Sequence, residues 1–438
     1  MGAIANGGDC EARQAQALPG DVPDPLQTAS SFRELLRQRD YILFWASRWM
    51  GGLGVQIQSV AMGWQVYDLS RQQHLDINHA SFNVSLIGLI TFAPLFFLAL
   101  PAGMSADRYD RKRIIMLCYF GELAPAAILA AAEVFHFASV PLLLSVAVIF
   151  GTSRAFLQPA STALGPMLVP RELLPRAIAW NSLAGQFASI IGPAIAGLLI
   201  ALAPAAAFEG SFVLYLGTLV ALSMIRTHST PQAQPGSRWN LVKEGLAYVW
   251  TIKVVFGAIS LDLAAVILGG ATALLPAFAR DVLKVGPEGF GLLRSAPAAG
   301  AATVAIYLSI SPVRSKAGLK MFACVAAFSL ATIVFGLSRT LWLSAGSLAV
   351  LGAADMMSVY VRQTLVQLVT PDGMRGRVAA VSTLFISASN ELGEFRGGLV
   401  ARFIGPINAV VYGGIGALIV TGVWARMFPA LRTADRLE

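Results

Sequence analysis

The sequence predicts an all-α integral membrane protein, with twelve transmembrane helices in two pseudo-symmetric six-helix bundles. Three observations carry that expectation. Of 438 residues, 56% are hydrophobic and only 13% charged, about half the charge a soluble chain uses to coat its surface. Twelve mostly apolar runs follow one another, at 41–69, 82–105, 113–135, 140–165, 175–202, 208–226, 252–279, 287–310, 316–337, 341–368, 375–402 and 405–427. Each is of the order of the ~20 residues a spanning helix needs. Finally, the chain repeats itself at an offset of 201 residues.

Backbone amides inside lipid have no water to bond, so runs this apolar are helices rather than open strands. The repeat aligns Val169-Pro170-Arg171-Glu172 through Arg176 with Thr370-Pro371-Asp372-Gly373 through Arg377, each a loop before an odd-numbered span. It also lays Gly192-Pro193 through Gly197 on Gly393-Glu394 through Gly398. Between the halves lies the longest polar stretch separating two spans, rich in Pro, Gln, Gly and Ser, a linker composition that ends in a surface helix. The expected organisation is a polar tail at 1–40 ending in a short basic helix, bundles at 41–226 and 251–428, a linker at 227–250 and a second tail at 429–438.

Net charge is +8, which could suggest a polyanion partner until its placement is read. An even number of spans puts both termini on one side. That side carries 22 of the 32 Lys and Arg residues; the opposite face carries five, and five more fall within spans. The bias places both termini in the cytoplasm, so the charge encodes orientation in the cell (inner) membrane and requires no nucleic acid. Residues 1–40 lack the apolar core and cleavage site of a signal peptide. Three scattered cysteines and four histidines offer no metal-ligand spacing, and there is neither a Lys-Ser/Thr phosphate loop nor a nucleophile triad. The expectation is therefore a non-enzyme without cofactor or metal, working as a monomer in the bilayer.

Between the second and third spans stands Gly103-Met-Ser-Ala-Asp107-Arg108-Tyr-Asp110-Arg111-Lys112-Arg113. A positive-inside loop needs only Lys and Arg; the ordered glycine, acid and cations are more specific. Gly103 lets two helices approach, and Asp107 can meet a helix N-terminus or a neighbouring Arg. The segment resembles the signature loop of major facilitator transporters, Gly-x3-Asp-Arg-x-Gly-Arg-Lys, with Asp110 in place of the second glycine. Six-helix parallel repeats with a central midplane site are that architecture. The resemblance implies a conformational latch between halves. In the fifth span, Gly192-Pro193-Ala-Ile-Ala196-Gly197 resembles the Gly-Pro-x2-Gly-Gly motif of the drug:proton antiporter branches, which implies export. As a packing seam it is also physically sound. Leu275 to Leu283, Gly289 to Arg294 and Leu168 to Arg176 resemble the subgroup containing bacterial enterobactin exporters and macrolide efflux pumps.

Ionisable groups at bilayer depth cost at least ~2.5–3.5 kcal/mol each and need partners or water. Arg48, Arg154, Asp262, Asp355 and Arg362 fall in the first, fourth, seventh and tenth spans, which line the central cavity in the family that the sequence resembles. The 201-residue offset sets Arg154 opposite Asp355, so an ion pair across the halves is expected, with Asp262 or Asp355 as proton carrier and Arg48 or Arg154 as counter-ion. Glu391, Glu394 and Arg396 in the eleventh span form either a second proton site or a salt-bridge network around Arg396. Glu122, alone in the third span, reads as a packing or lipid-edge group. Gln56, Gln58, Asn181 and Gln186 are candidate cavity residues, and Trp64 and Tyr67 fit an interfacial belt. The functional expectation is a proton-coupled exporter of a small amphipathic molecule, a drug or siderophore-like metabolite, moved by alternating access. An importer, a lysophospholipid flippase and a non-transporting receptor are the alternatives.

Overall fold

The computed structural model describes residues 34–227, 238–311, 313 and 316–432. The expected tail before residue 34, the polar part of the linker at 228–237, much of the loop at 311–316 and the last residues from 433 lie outside these. The first six spans are α1 (Arg39–Gln72), α2 (Ile77–Arg108), α3 (Arg111–Val134), α4 (Val140–Leu164), α5 (Leu174–Leu202) and α6 (Pro204–Ser223). A helix α7 (Arg238–Thr251) follows the linker, and the second six are α8 (Lys253–Gly269), α9 (Gly286–Ile310), α10 (Ala317–Leu337), α11 (Leu341–Val369), α12 (Asp372–Ile404) and α13 (Pro406–Met427), with a last turn α14 (Pro429–Arg432).

Nine of these segments are long and apolar enough to cross a membrane, among the described residues. The three long helices that fall short are α1, α9 and α12. They carry Arg48, Arg294 and the Glu391–Glu394–Arg396 group, so the sequence spends its polarity on particular helices.

The seventh span differs from expectation. Instead of one helix to about residue 279, α8 stops at Gly269 and resumes through a 3-10 turn, Thr272–Leu274, into a π-helical turn, Phe278–Val282. The break falls where Gly270 abuts the backbone of Gly393: a Cβ on it would sit 2.7 Å from the Gly393 carbonyl carbon. A helix broken inside a bilayer leaves carbonyls unpaired. Arg396 answers one of them, donating from Nη1 to the Leu268 carbonyl at 2.6 Å. Arg396 is therefore a cap on α8, not the hub of a carboxylate network.

Contact between the halves runs along two seams, α2 against α12 and α5 against α9. Both seams are tightest away from the termini. Gly197 and Gly291 bring α5 and α9 together with almost no side chain between them, and a Cβ on Gly197 would lie 2.6 Å from the Pro287 carbonyl oxygen. About three turns back on the same helix, Gly185 faces open space. In α12 the same contrast holds: Gly398 meets Ser85 of α2, whereas Gly373 and Gly376, near the terminus end, have nothing within 4 Å.

Candidate functional site

A cavity of about 420 Å³ lies between the halves, lined by α1, α2, α4, α5 and α8–α12. That volume falls in the range of small-molecule sites. Its wall is partly apolar, with Phe150, Phe328, Leu348 and Leu351, and partly polar, with Gln56, Ser59, Thr91, Ser189 and Asn390. Five charges reach it: Arg154, Arg294, Asp355, Glu391 and Glu394.

The charges pair differently from the sequence expectation. Arg154 of α4 meets Glu391 of α12 across the halves at 3.8 Å, and Thr91 Oγ1 donates to the same carboxylate at 3.4 Å. One turn along α12, Glu394 meets Arg294 of α9 at 3.7 Å. Glu391 and Glu394 share a helix face, as their spacing requires, and each takes its own arginine. Asp262 pairs with Arg362 of α11 rather than with Arg48 or Arg154. That pair is dry: Arg362 is 1% exposed, and its Nε and Nη2 find no hydrogen-bond acceptor among the described residues. Asp262 is the counter-ion that makes a buried guanidinium tolerable.

Asp355 lines the main cavity and, with Asp262, Phe328 and Ser358, a crevice behind it of about 10 Å³, near the least space that holds one water. No basic side chain lies within ion-pair distance of Asp355 among the described residues. The expected Arg154–Asp355 pair is thus replaced by Arg154–Glu391, because α12 rather than α11 lies across from α4 at this depth. Arg48 does not line the cavity.

Of the four amides proposed for the cavity, Gln56 lines it. Gln58 is fully buried inside the first bundle, with neither amide atom hydrogen-bonded among the described residues. Asn181 sits by Gly165 and Phe44, and Gln186 is half-buried outside the cavity wall. Side-chain type finds polar groups within spans, but only the helix's rotation tells which way they face. Of the two readings of Glu122, packing and not the lipid edge fits: it is completely buried within the first bundle. Pro193 lines the cavity beside Ser189, while Gly192 packs on the Gln56 side chain and Gly197 on α9. One motif thus serves both a wall and a seam.

Away from the termini the cavity is closed by residues whose role the sequence reading missed. Trp64 of α1 stacks obliquely on Phe290 of α9, ring centroids 5.5 Å apart. Beyond them, Arg280 pairs with Asp68, Arg71 with Asp281 at 3.2 Å, and the Tyr67 hydroxyl donates to Asp281. The signal was present as Asp68 and Arg71 one turn apart at the end of the first span, facing adjacent Arg280 and Asp281 at the end of the seventh. Tyr67 is completely buried, so it belongs to this closure and not to an interfacial belt. Phe82 continues the seal, between Arg402, 4.9 Å above its ring, and Phe395 at 6.4 Å.

At the terminus end the signature loop is tied within its own half. Asp110 caps α3 by accepting the Lys112 backbone N–H at 3.0 Å, which gives the residue that replaces the expected glycine a local role. Lys112 Nζ donates to the Ser223 and Ile225 carbonyls at 3.1 and 2.6 Å, a cation on the C-terminal end of α6. Arg111 Nε donates to the Ala106 carbonyl at 3.2 Å. Gly103 is buried and Asp107 half-buried, while Arg108 is exposed against the Tyr109 ring.

Comparison with known proteins gives a consistent result. Residues 29–437 match the family model described as transmembrane secretion effector. Enterobactin exporters (EntS) of Shigella boydii and Escherichia coli are 26% identical over 356 residues, which is 78% of this chain and 83% of theirs. Among solved structures, a D-xylose–proton symporter superposes with a TM-score of 0.64 at 13% identity, over 88% of this chain and 96% of that one. The nucleoside transporter NupG, in a mutant form, gives 0.65 at 16% identity over 89% and 99%. At these identities the structures speak for the fold alone.

Proposed function

We propose a function from a fixed premise: this chain belongs to the transmembrane secretion effector family, within the major facilitator superfamily of transporters. On our reading it is a proton-coupled exporter of a small amphipathic molecule that works by alternating access, with both termini in the cytoplasm. The observation that carries the reading is a charged cavity between the halves, closed away from the termini by separable pairs. A cavity open toward the cytoplasm is the loading state of an exporter. Kinship with enterobactin exporters, at 26% identity, favours the same direction.

The geometry supports a division of labour among the carboxylates. Asp262 is committed to Arg362 inside the second bundle. Asp355 and Glu391 face the cavity, where a proton can reach them from solvent, and Glu391 spans the halves through Arg154. A proton on Glu391 removes the attraction that holds Arg154, which biases the equilibrium between the two arrangements. Substrate would occupy the space between Phe150, Phe328 and Gln56, an apolar surface with a few convergent polar groups.

Inside-out vesicles loaded through the termini-exposed face test this. A lipophilic dye should be accumulated when a pH gradient is imposed and released when it is collapsed. Asp355→Asn and Glu391→Gln should abolish gradient-driven accumulation while leaving dye binding within threefold of wild type. Full gradient-driven accumulation in both variants would contradict proton coupling through these residues, and gradient-driven movement in the opposite direction would favour an importer.

A further inference from the structure

Glu122 has no place in the mechanism above, yet it is the acidic residue most completely withdrawn from water: its exposure is 0% and neither carboxylate oxygen has a hydrogen-bond partner among the described residues. It sits in α3 where α4 and α6 pack on that helix. Gly121, next to it on α3, packs against Ser153, the neighbour of Arg154 on α4. Tyr119 of α3 lies against Tyr215 of α6 with ring centroids 6.1 Å apart. The titratable groups around the site are thus Cys118 and Tyr119 from its own helix, Tyr215 from α6 and Arg154 from α4, with Arg48 of α1 beyond Tyr119. The Tyr215 hydroxyl is also buried without a partner. An orphaned carboxylate anion in such a place would cost several kcal/mol at least, so the site is suited to a carboxyl that carries a proton or to one that holds a cation. One cation is at hand. Arg154 acts on Glu122, but its guanidinium is drawn out to Glu391, 3.8 Å away, and its side chain is 44% exposed.

We infer that Glu122 is a proton-binding site inside the first bundle, and that it exchanges Arg154 with Glu391. The inference rests on the proton-coupled reading above and adds a second site to it. With Arg154 on Glu391, Glu122 bears its proton. When a proton from cavity water binds a Glu391 oxygen, Arg154 returns to its own half, and the Glu122 O–H bond breaks, its proton passing to water along the path the guanidinium has opened. One O–H bond forms and one breaks, Arg154 stays charged throughout, and the charge of the group is conserved. A single arginine serving two carboxylates, one in each half, makes the charge state of the first bundle depend on its contact with the second.

Infrared difference spectroscopy of the full chain in liposomes reads this directly, because a protonated carboxyl has a carbonyl band distinct from that of a carboxylate. At neutral pH wild type should show a buried protonated-carboxyl band that Glu122→Gln removes. Glu391→Gln, which frees Arg154, should cut that band at least twofold at the same pH, and adding Arg154→Gln should restore it. Should Glu122→Gln fail to insert, Tyr215→Phe, which removes a buried hydroxyl of the same site, should shift the band. Unchanged spectra in Glu122→Gln and Tyr215→Phe, or a band indifferent to Glu391→Gln, would overturn the inference. No gradient or transported substrate is used, so absence of the band alongside gradient-driven transport would refute this site and leave the proposed function standing.

Discussion

At Gly197, helix α5 lies so close to α9 that a methyl group would meet the Pro287 carbonyl at 2.6 Å, whereas at Gly185, on the same helix, nothing lies within 4 Å. The difference is not one of sequence, since both are glycines in an apolar helix. It is one of place and facing: Gly197 lies in the seam between the halves, and Gly185, about 120° round the helix and about three turns back, lies outside it. Near Gly197 the contacts are backbone on backbone, reinforced by the Asp68–Arg280 and Arg71–Asp281 pairs; toward Gly185 the halves part around the cavity. The pairs differ in wetness. Arg362 and Asp262, inside the second bundle, are almost completely buried, while the pairs that cross between the halves are partly wet, as is Arg294–Glu394 on the cavity wall.

The largest effect should follow from breaking a pair that never has to open. Asp262→Asn leaves a buried guanidinium without its counter-ion and should cost about 3–5 kcal/mol of stability, read as a large drop in the detergent melting temperature. Asp355→Asn, facing the cavity, should melt within a few degrees of wild type. Equal melting of the two variants would erase the distinction between the buried, paired carboxylate and the cavity-facing one.

Gly197→Leu comes next. Overpacking a backbone contact costs about 1–3 kcal/mol, which corresponds to a roughly 5- to 150-fold shift toward states open at the sealed end. Spin-label distances between α5 and α9 near that end should lengthen. For the charged closure, Asp68→Arg should impair transport severalfold by setting two arginines together, and Asp68→Arg with Arg280→Asp should recover most of it. Failure of the double variant to recover would mean that the pair does not act as a pair.

Smaller effects are expected at the helix ends. Asp76 caps α2 by accepting the His79 backbone N–H at 3.0 Å, and that bond, with the His79 ring, holds its carboxyl below the usual aspartate value. Because the folded state favours the anion, the cap contributes fully above the ordinary value of about 3.9 and is lost as pH falls below it. Asp76→Ala should cost about 0.5–2 kcal/mol at pH 7, and less in acid. Smallest of all, Gly185→Ala should change stability by under about 0.5 kcal/mol, since its methyl group meets open space.

Much of the fold was legible because apolar run length is imposed by the bilayer itself: the eighth span, expected at 287–310, is the helix Gly286–Ile310, and the twelfth, expected at 405–427, is Pro406–Met427. The break in the seventh span was not, because Gly269-Gly270 reads equally as a packing site; the break falls where the Gly393 backbone of α12, in the same half, presses on Gly270. In the site, charge at depth singled out Arg154, Asp355, Glu391 and Glu394, which line the cavity, but equally Asp262 and Arg362, which pair inside the second bundle, and Arg48, which does not line it. Partner choice escaped the sequence, since it depends on which helix faces which at a given depth. Glu391 meets Arg154 from a helix that the offset argument did not consider. The same blindness to rotation misplaced Gln58 and Tyr67.

The central claim is a cavity that opens at one face at a time. In a cysteine-free background, Ser189→Cys on the cavity wall should react with a membrane-impermeant thiol reagent from the terminus side and at least tenfold more slowly from the other. An imposed pH gradient, or Gly197→Leu, should raise the rate from that other side. Equal reaction from both faces at rest, or no response to either change, would contradict alternating access through this cavity.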